Sequence, residues 1–294
     1  MAVKPGIYAA SMSCFHKDLS LDVDSTILHA EKIIREGCHG VAIFGSTGAG
    51  QLISKREKEK LIEKLSNSKF KDNFLIGTSD NSFNETVELI KFSLKNGFNR
   101  FLIMPPAYYK YGDDAAYVFF ANIIQRVSDI EIILYNFEKL CGYKFSPQII
   151  EKLVNDFPKQ IVGVKDSTYN LYEILKIPNF LIFPGSEKKL LKGLEIGSSG
   201  IISATVNVTA PLARKVYDDF HNKKKQTQNE RLCAVRTVFD KNNLISGLYS
   251  FMATEDKKYE FILPPLNLLN KKEEKKMMEE LKSLDFYPNK ITTV

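Results

Sequence analysis

The chain has 294 residues and a net charge of +6, and 44% of its residues are hydrophobic and 26% charged. This is the composition of an ordinary globular protein, and no apolar run approaches the ~20 residues that span a bilayer, so no membrane partner is expected. Part of the positive charge lies in runs such as Lys223, Lys224 and Lys225, without interleaved aromatic residues. The pattern does not predict a nucleic-acid surface and is compatible with anionic small substrates.

The cysteines and histidines indicate neither a disulfide framework nor a metal site. The four cysteines are widely separated and form no Cys-x-x-Cys pair, and the four histidines lie at no metal-ligand spacing. The first residues contain no apolar stretch of the kind found in signal peptides. We therefore expect reduced thiols, a cytoplasmic location and no bound metal.

Apolar runs of strand length alternate with amphipathic stretches of helical period along most of the chain. Residues 6–10 form the first predicted strand and residues 24–36 the first helix. The later strands are predicted at residues 40–44, 74–78, 100–104, 131–135, 161–165, 180–184 and 200–203. The later helices are predicted at residues 54–65, 84–95, 114–127, 146–155, 170–175, 188–194 and 210–220.

Eight strand–helix units in succession predict a parallel sheet with right-handed crossovers, and we expect it to close into a (β/α)8 TIM barrel. An open doubly wound sheet is the alternative, but no Gly-x-Gly-x-x-Gly motif or P-loop follows any strand. We assign residues 1–225 to the barrel and residues 226–294 to a C-terminal helical extension. Its clearest predicted helices are residues 229–244 and 271–284, with Pro264-Pro265 as a break.

In barrels of this kind the reactive groups lie at the C-terminal ends of the strands. Lys165 ends the apolar run Ile161-Val162-Gly163-Val164. Burial disfavours the charged ammonium, and a neutral lysine can attack a carbonyl to form a Schiff base. The alternative is a lysine that merely reaches solvent beyond a strand end.

Two further strand ends could complete such a site. Tyr135 ends the neighbouring strand, about 4.8 Å away, where it could transfer protons to and from an imine. The turn Gly45-Ser46-Thr47-Gly48 offers backbone N–H groups and two hydroxyls, which suit a carboxylate, although it could also be an ordinary loop. Together these groups predict a site that holds an α-keto acid as an imine.

At these positions the chain resembles the dihydrodipicolinate synthase / N-acetylneuraminate lyase superfamily of pyruvate-dependent class I aldolases. The resemblance runs from about residue 6 to residue 217, and more loosely to the end of the chain. The matching segments are Gly45-Ser46-Thr47-Gly48, Tyr135-Asn136 followed by Gly142, Gly163-Val164-Lys165-Asp166-Ser167, Gly185-Ser186, and Gly200-Ile201-Ile202-Ser203.

The resemblance implies an eight-stranded barrel with a C-terminal helical domain, assembled as a homotetramer, a dimer of dimers. It implies an imine between pyruvate and Lys165, proton transfer by Tyr135, and a relay completed by Ser46 and by Tyr108 of a neighbouring subunit. No metal or organic cofactor is implied. The residues expected to bind substrate are Ser46, Thr47, Leu140, Ser167, Gly185, Ser186, Glu187 and Ile202.

Three sequence features bear on the identity of the second substrate. Leu140 stands where dihydrodipicolinate synthases carry an arginine. A leucine at this position is similar to the sialic acid lyases and to some keto-deoxy sugar acid aldolases. Sialic acid lyases have two acidic residues after the glycine of the seventh strand and a later serine, where this chain has Glu187-Lys188 and Ala204. The segment Gly48-Ala49-Gly50 is more similar to 2-keto-3-deoxygluconate aldolases.

We therefore expect cleavage or formation of a C–C bond between pyruvate and an aldehyde, on a 2-keto-3-deoxy sugar acid. The alternatives are a dihydrodipicolinate synthase that condenses pyruvate with aspartate semialdehyde, an N-acetylneuraminate lyase, and a non-catalytic sensor that binds a keto acid. Lys165 and Tyr135 argue against the sensor, which needs no proton relay.

Overall fold

The structure is a computed structural model, and it describes residues 2–288. Eight strands form one sheet in the order β7-β6-β5-β4-β3-β2-β1-β8, and neighbouring strands in this order are parallel. The strands are β1 Gly6–Ala10, β2 Gly40–Ile43, β3 Phe74–Gly77, β4 Arg100–Ile103, β5 Glu131–Asn136, β6 Ile161–Asp166, β7 Leu181–Pro184 and β8 Gly200–Ser203.

The two end strands of this order approach each other. The backbone N–H of Ser199 donates to the carbonyl of Ile182 at 2.8 Å, and the N–H of Ile182 donates to Oγ of Ser199 at 3.1 Å. Tyr8 of β1 packs edge-on against Phe183 of β7, although these strands are not hydrogen-bonded neighbours. The sheet is therefore a nearly closed barrel with a packed interior, and the predicted (β/α)8 fold is confirmed.

Helices follow every strand except β6, and most of them cover the outside of the barrel. Their N-termini carry the expected signals: Ser54 and Glu57 form a capping box, and Pro147 begins a helix that Ser146 caps. The barrel helices are α1 Val23–Arg35, α2 Lys55–Leu65, α3 Phe83–Lys95, α4 Asp113–Arg126, α5 Glu138–Cys141, α6 Pro147–Asp156, α7 Leu190–Glu195 and α8 Val206–His221.

Three longer helices follow the barrel: α9 Asn229–Asp240, α10 Leu244–Ala253 and α11 Lys271–Ser283. They pack on one another, and α9 also contacts α8 and the short 3-10 turn Glu187–Lys189 after β7. This contact places α9 over the C-terminal ends of the last strands. The division of the chain at residue 225 stays a prediction. Among residues 2–288, none of the helices combines the length with the hydrophobicity that a membrane span requires.

Three of the differences between the predicted and the observed elements have a local physical cause. The helix expected at residues 170–175 is wrong: this segment forms turns, because the buried carboxylate of Asp166 accepts the N–H groups of Tyr169, Leu171 and Tyr172. The strand expected at residues 40–44 ends at Ile43, since Phe44 has a φ of +56°.

The helix expected at residues 229–244 ends earlier, at Asp240. A second helix, α10, begins at Leu244, where the side chain of Asn243 accepts the N–H of Ser246 and caps it. The short helix α5 after β5 was not predicted from the sequence.

Candidate active site

Strands β5 and β6 place Tyr135 and Lys165 side by side at their C-terminal ends. The two residues are paired in register, and each is only 4% exposed. Nζ of Lys165 lies 4.1 Å from the centroid of the Tyr135 ring. No salt bridge engages Lys165 within residues 2–288, so its nitrogen is available to a ligand.

The loop after β2 lies against this pair. Ser46 and Thr47 open a 3-10 turn, Ser46–Gly48, and Oγ of Ser46 is 3.3 Å from the hydroxyl of Tyr135. Among the described residues, the backbone N–H groups of Ser46 and Thr47 find no acceptor. The loop folds back closely enough that a Cβ at Gly50 would lie 1.9 Å from the carbonyl oxygen of Phe44, which requires glycine. The loop therefore presents two backbone N–H groups without an acceptor, close to the Tyr135 hydroxyl.

A cavity of about 250 Å³ opens over these groups. Gly185 allows the end of β7 to approach Ser167, because a Cβ there would lie 2.2 Å from the Ser167 hydroxyl. Leu140 is 46% exposed and presents an apolar surface on the same cavity. Of the residues that the sequence singles out, the cavity is lined by Ser46, Thr47, Tyr135, Leu140, Lys165, Ser167 and Gly185.

Buried polar contacts fix the ends of β5 and β6. Asn136 donates from Nδ2 to Asp166 at 2.9 Å and to Asn170 at 2.7 Å, and its own oxygen accepts the N–H of Phe145 at 3.2 Å. Asp166 also accepts the three N–H groups of the turn segment described above. These contacts hold the turn that carries Ser167 and Tyr169 beside Lys165.

Three predicted substrate-binding residues lie elsewhere. Ser186 lines a neighbouring polar cavity of about 570 Å³. Glu187 is fully buried, where Oε2 accepts from Ser203 Oγ at 2.8 Å and pairs with Arg236 at 2.8 Å, and it lines neither cavity. Ile202 is buried within β8 and also lines neither cavity.

Tyr108 does not reach the site of its own chain. It follows β4, is 87% exposed, and packs edge-on against Tyr109 with ring centroids 5.2 Å apart. A contact between Tyr108 and the Ser46–Tyr135 pair therefore requires another copy of the chain.

Arg236 is the charged residue of the site that sequence reasoning missed. It lies on α9, is almost fully buried, and lines both cavities. Its Nε donates to Asp240 at 2.7 Å and its Nη1 to Glu187 at 2.8 Å. Burial alone would lower the pKa of Arg236, but the charges of Glu187 and Asp240 outweigh it and the net shift is upward. The guanidinium therefore stays charged beside the Lys165 cavity.

Within residues 2–288, no group of three or more His, Cys, Asp or Glu side chains is placed to hold a metal ion.

Comparison with known proteins identifies the family. The sequence model of the Dihydrodipicolinate synthetase family matches residues 4–284. The chain belongs to this family. It is a class I aldolase, a pyruvate-dependent carbon–carbon lyase, as the resemblance predicted.

Individual relatives agree with this assignment. An uncharacterized DapA-like lyase of Thermococcus kodakarensis is 28% identical over 80% of this chain and 83% of its own. A 4-hydroxy-tetrahydrodipicolinate synthase of Hydrogenobaculum is 30% identical over 82% of this chain and 86% of its own length.

A solved structure shows the same fold. YagE, a prophage protein of the dihydrodipicolinic acid synthase family from E. coli K12, solved in complex with pyruvate, has a TM-score of 0.87 at 20% identity. The match covers 97% of this chain and 100% of that one.

Proposed function

We propose that Lys165 is the lysine that binds pyruvate as an imine in this member of the dihydrodipicolinate synthetase family. The observation that carries the proposal is the buried pair of Lys165 and Tyr135, with Ser46 beside the tyrosine hydroxyl. The neutral amine of Lys165 adds to C2 of pyruvate, the carbinolamine takes up one proton and loses water, and a protonated imine remains.

The imine then serves as the electron sink for the C–C bond. In cleavage, the bond between C3 and C4 of the substrate breaks and its electron pair forms the C2–C3 double bond of an enamine. The C4 hydroxyl gives its proton to Tyr135 as Tyr135 gives its own to Ser46 Oγ at 3.3 Å. Ser46 passes its proton on through Tyr108 of a neighbouring subunit to solvent, and the aldehyde leaves. Protonation at C3 and addition of water then release pyruvate and Lys165.

The loop after β2 supplies the binding site for the pyruvate carboxylate. The free N–H groups of Ser46 and Thr47 point to an anion-binding turn at the edge of the Lys165 cavity. Their hydrogen bonds to the carboxylate would hold C2 within reach of Lys165 during the attack.

For the second substrate we propose a polyhydroxylated aldehyde, so that the whole substrate is a 2-keto-3-deoxy sugar acid. Leu140 supplies no guanidinium from its side of the cavity, and the hydroxyl of Ser167 is available to a substrate hydroxyl. The second candidate is condensation with aspartate semialdehyde, which Arg236 favours because it brings a guanidinium to the cavity from α9. An N-acetylneuraminate lyase is less well supported, since Glu187 is engaged by Arg236.

We further propose a cytoplasmic homotetramer, a dimer of dimers, in which Tyr108 of a neighbouring subunit completes the proton relay. The 87% exposure of Tyr108 supports this, because an aromatic ring so exposed is available to a second copy. The cysteines are free thiols, and three of them are buried, as suits a reducing compartment.

A substrate panel tests the proposed substrate. The release of pyruvate from 2-keto-3-deoxygluconate and from N-acetylneuraminate is compared with the condensation of pyruvate and aspartate semialdehyde, each as kcat/KM. We expect the keto-deoxy sugar acid to be the best substrate. If aspartate semialdehyde gives the highest kcat/KM, the chain is a synthase and the sugar-acid assignment is wrong.

A further inference from the structure

Tyr169 has an unusual backbone conformation for a residue with a large side chain. Its φ is +64°, in the left-handed region that favours glycine and that an aromatic residue adopts only under constraint. The constraint comes from Asp166, which is fully buried and accepts the N–H of Tyr169 at 2.8 Å together with those of Leu171 and Tyr172. Strain of this kind persists where the surroundings fix the backbone, and it is concentrated at functional sites.

Tyr169 lies at the junction of the two cavities at the barrel mouth. The Lys165 cavity, about 250 Å³, and the polar cavity, about 570 Å³, both have Tyr169 in their lining. They also share Phe137, Ser167 and Arg236. Of the non-glycine residues with a positive φ within residues 2–288, only Tyr169 lines either of these cavities. A residue that lines both cavities forms part of the boundary between them.

Neighbouring side chains hold the Tyr169 ring at this boundary. The ring packs edge-on against Tyr172 with centroids 6.3 Å apart, and Nζ of Lys189 lies 5.6 Å from the Tyr169 centroid. Ser186, which lines the polar cavity, lies close enough to hydrogen-bond with the Tyr169 hydroxyl. Because Asp166 fixes the backbone and these neighbours fix the ring, displacing the side chain would break several contacts at once.

The volume of the Lys165 cavity suits a short substrate. At about 250 Å³ it is smaller than the ~300–1,000 Å³ of sites that take drug-sized ligands. In the proposed function the pyruvate part of the substrate lies between Lys165 and Ser46, which leaves room for a short aldehyde part. A longer aldehyde would have to pass the ring of Tyr169 to enter the polar cavity.

We propose that Tyr169 sets the chain length of the aldehyde that this aldolase accepts, because its ring closes the Lys165 cavity toward the polar cavity. The accepted class is then hydroxyaldehydes of about the size of glyceraldehyde, and open-chain pentoses and hexoses are excluded. The inference rests on the proposed function, since it places the aldehyde by reference to the imine at Lys165.

The test compares two neutral aldehydes, D-glyceraldehyde and D-arabinose, in condensation with pyruvate by the unmodified chain and by Tyr169→Gly. Glycine adopts a φ of +64° without strain, so this variant is expected to fold. It should raise kcat/KM for arabinose, relative to that for glyceraldehyde, by about tenfold or more, the lower end of what the fit of a pocket discriminates. Each aldehyde is compared with itself in the two enzymes, so its open-chain fraction cancels.

Three further variants separate the ring from other effects. Tyr169→Asn also tolerates the left-handed conformation and removes the ring without the flexibility of glycine, so it should shift the ratio in the same direction. Tyr169→Phe keeps the ring and should leave the ratio unchanged. Leu19→Gly is the matched control, because Leu19 has a φ of +69° and lines neither cavity, and it should leave the ratio unchanged as well.

An unchanged ratio in both Tyr169→Gly and Tyr169→Asn would overturn the inference, and so would an equal shift in Leu19→Gly. Reduction with borohydride in the presence of pyruvate keeps the two proposals apart. If pyruvate is trapped on Lys165 in every variant but the ratio does not move, the imine chemistry stands and the length filter is wrong. If the unmodified chain traps no pyruvate, the proposed function fails and this inference fails with it.

Discussion

His29 makes the stability of the fold dependent on pH. Its ring is fully buried on α1, with Nε2 2.8 Å from Oδ1 of Asn207 and Nδ1 2.6 Å from the hydroxyl of Tyr259. Oδ1 of Asn207 can only accept, so Nε2 of His29 carries a proton and donates it, while Nδ1 accepts from the Tyr259 hydroxyl. The imidazole is therefore neutral and protonated at Nε2. Burial lowers the pKa of His29 from 6.5 to about 4.

The sign and size of the effect follow from this shift. The folded pKa lies below the unfolded one, so the contribution of His29 to stability is present above pH 6.5 and is lost as pH falls toward 4. A shift from 6.5 to about 4 corresponds to about 3 kcal/mol in total, at ~1.36 kcal/mol per unit. About 2 kcal/mol of this is lost by pH 5.

Urea unfolding at pH 7 and at pH 5 measures this loss. His29→Gln should lower the free energy of unfolding at pH 7 and should reduce the further loss at pH 5 by about 2 kcal/mol relative to the unmodified chain. The exposed His16→Gln is the matched control. Burial also lowers the pKa of His39 to about 4, so part of the acid loss should persist in His29→Gln. An unchanged difference between pH 7 and pH 5 in His29→Gln would refute the reasoning.

Three further substitutions test the site. Tyr135→Phe should keep the fold and lower kcat by about 10²–10⁴-fold, and a loss below about tenfold would mean that another group moves the proton. Asp166→Ala removes the acceptor of three backbone N–H groups and should lower the free energy of unfolding by more than about 3 kcal/mol in urea titrations. A loss under about 1 kcal/mol would show that water replaces the carboxylate. Leu140→Arg should raise kcat/KM for aspartate semialdehyde and lower it for sugar acids, whereas an unchanged ratio would place the aldehyde away from position 140.

The barrel could be predicted from the sequence because its signals are local. Each strand is an apolar run of strand length, which can be recognised without knowing what it packs against. The alternation of strands and helices then leaves only a few possible sheet topologies. The neighbouring positions of Lys165 and Tyr135 could be predicted for the same reason: each lies at the C-terminal end of its strand, and adjacent parallel strands bring these ends together.

The rest of the site depends on contacts between distant segments. Arg236 forms an i,i+4 pair with Asp240, which in a sequence looks like an ordinary surface pair, and its contact with Glu187 joins residues 49 positions apart. No sequence feature near Glu187 indicates its contact with Arg236. For this reason Glu187 was expected from the sequence to be among the substrate-binding residues. The missed turn at residues 170–175 has a related cause, since a buried Asp166 takes N–H groups that a helix would have used.

The central claim, an imine on Lys165, is tested most directly by reduction with borohydride in the presence of pyruvate, followed by peptide mass spectrometry. We predict one reduced pyruvate on the peptide that contains Lys165 in the unmodified chain and in the control Lys224→Ala, and none in Lys165→Ala. An adduct that persists in Lys165→Ala, or that maps to another lysine, would contradict the account.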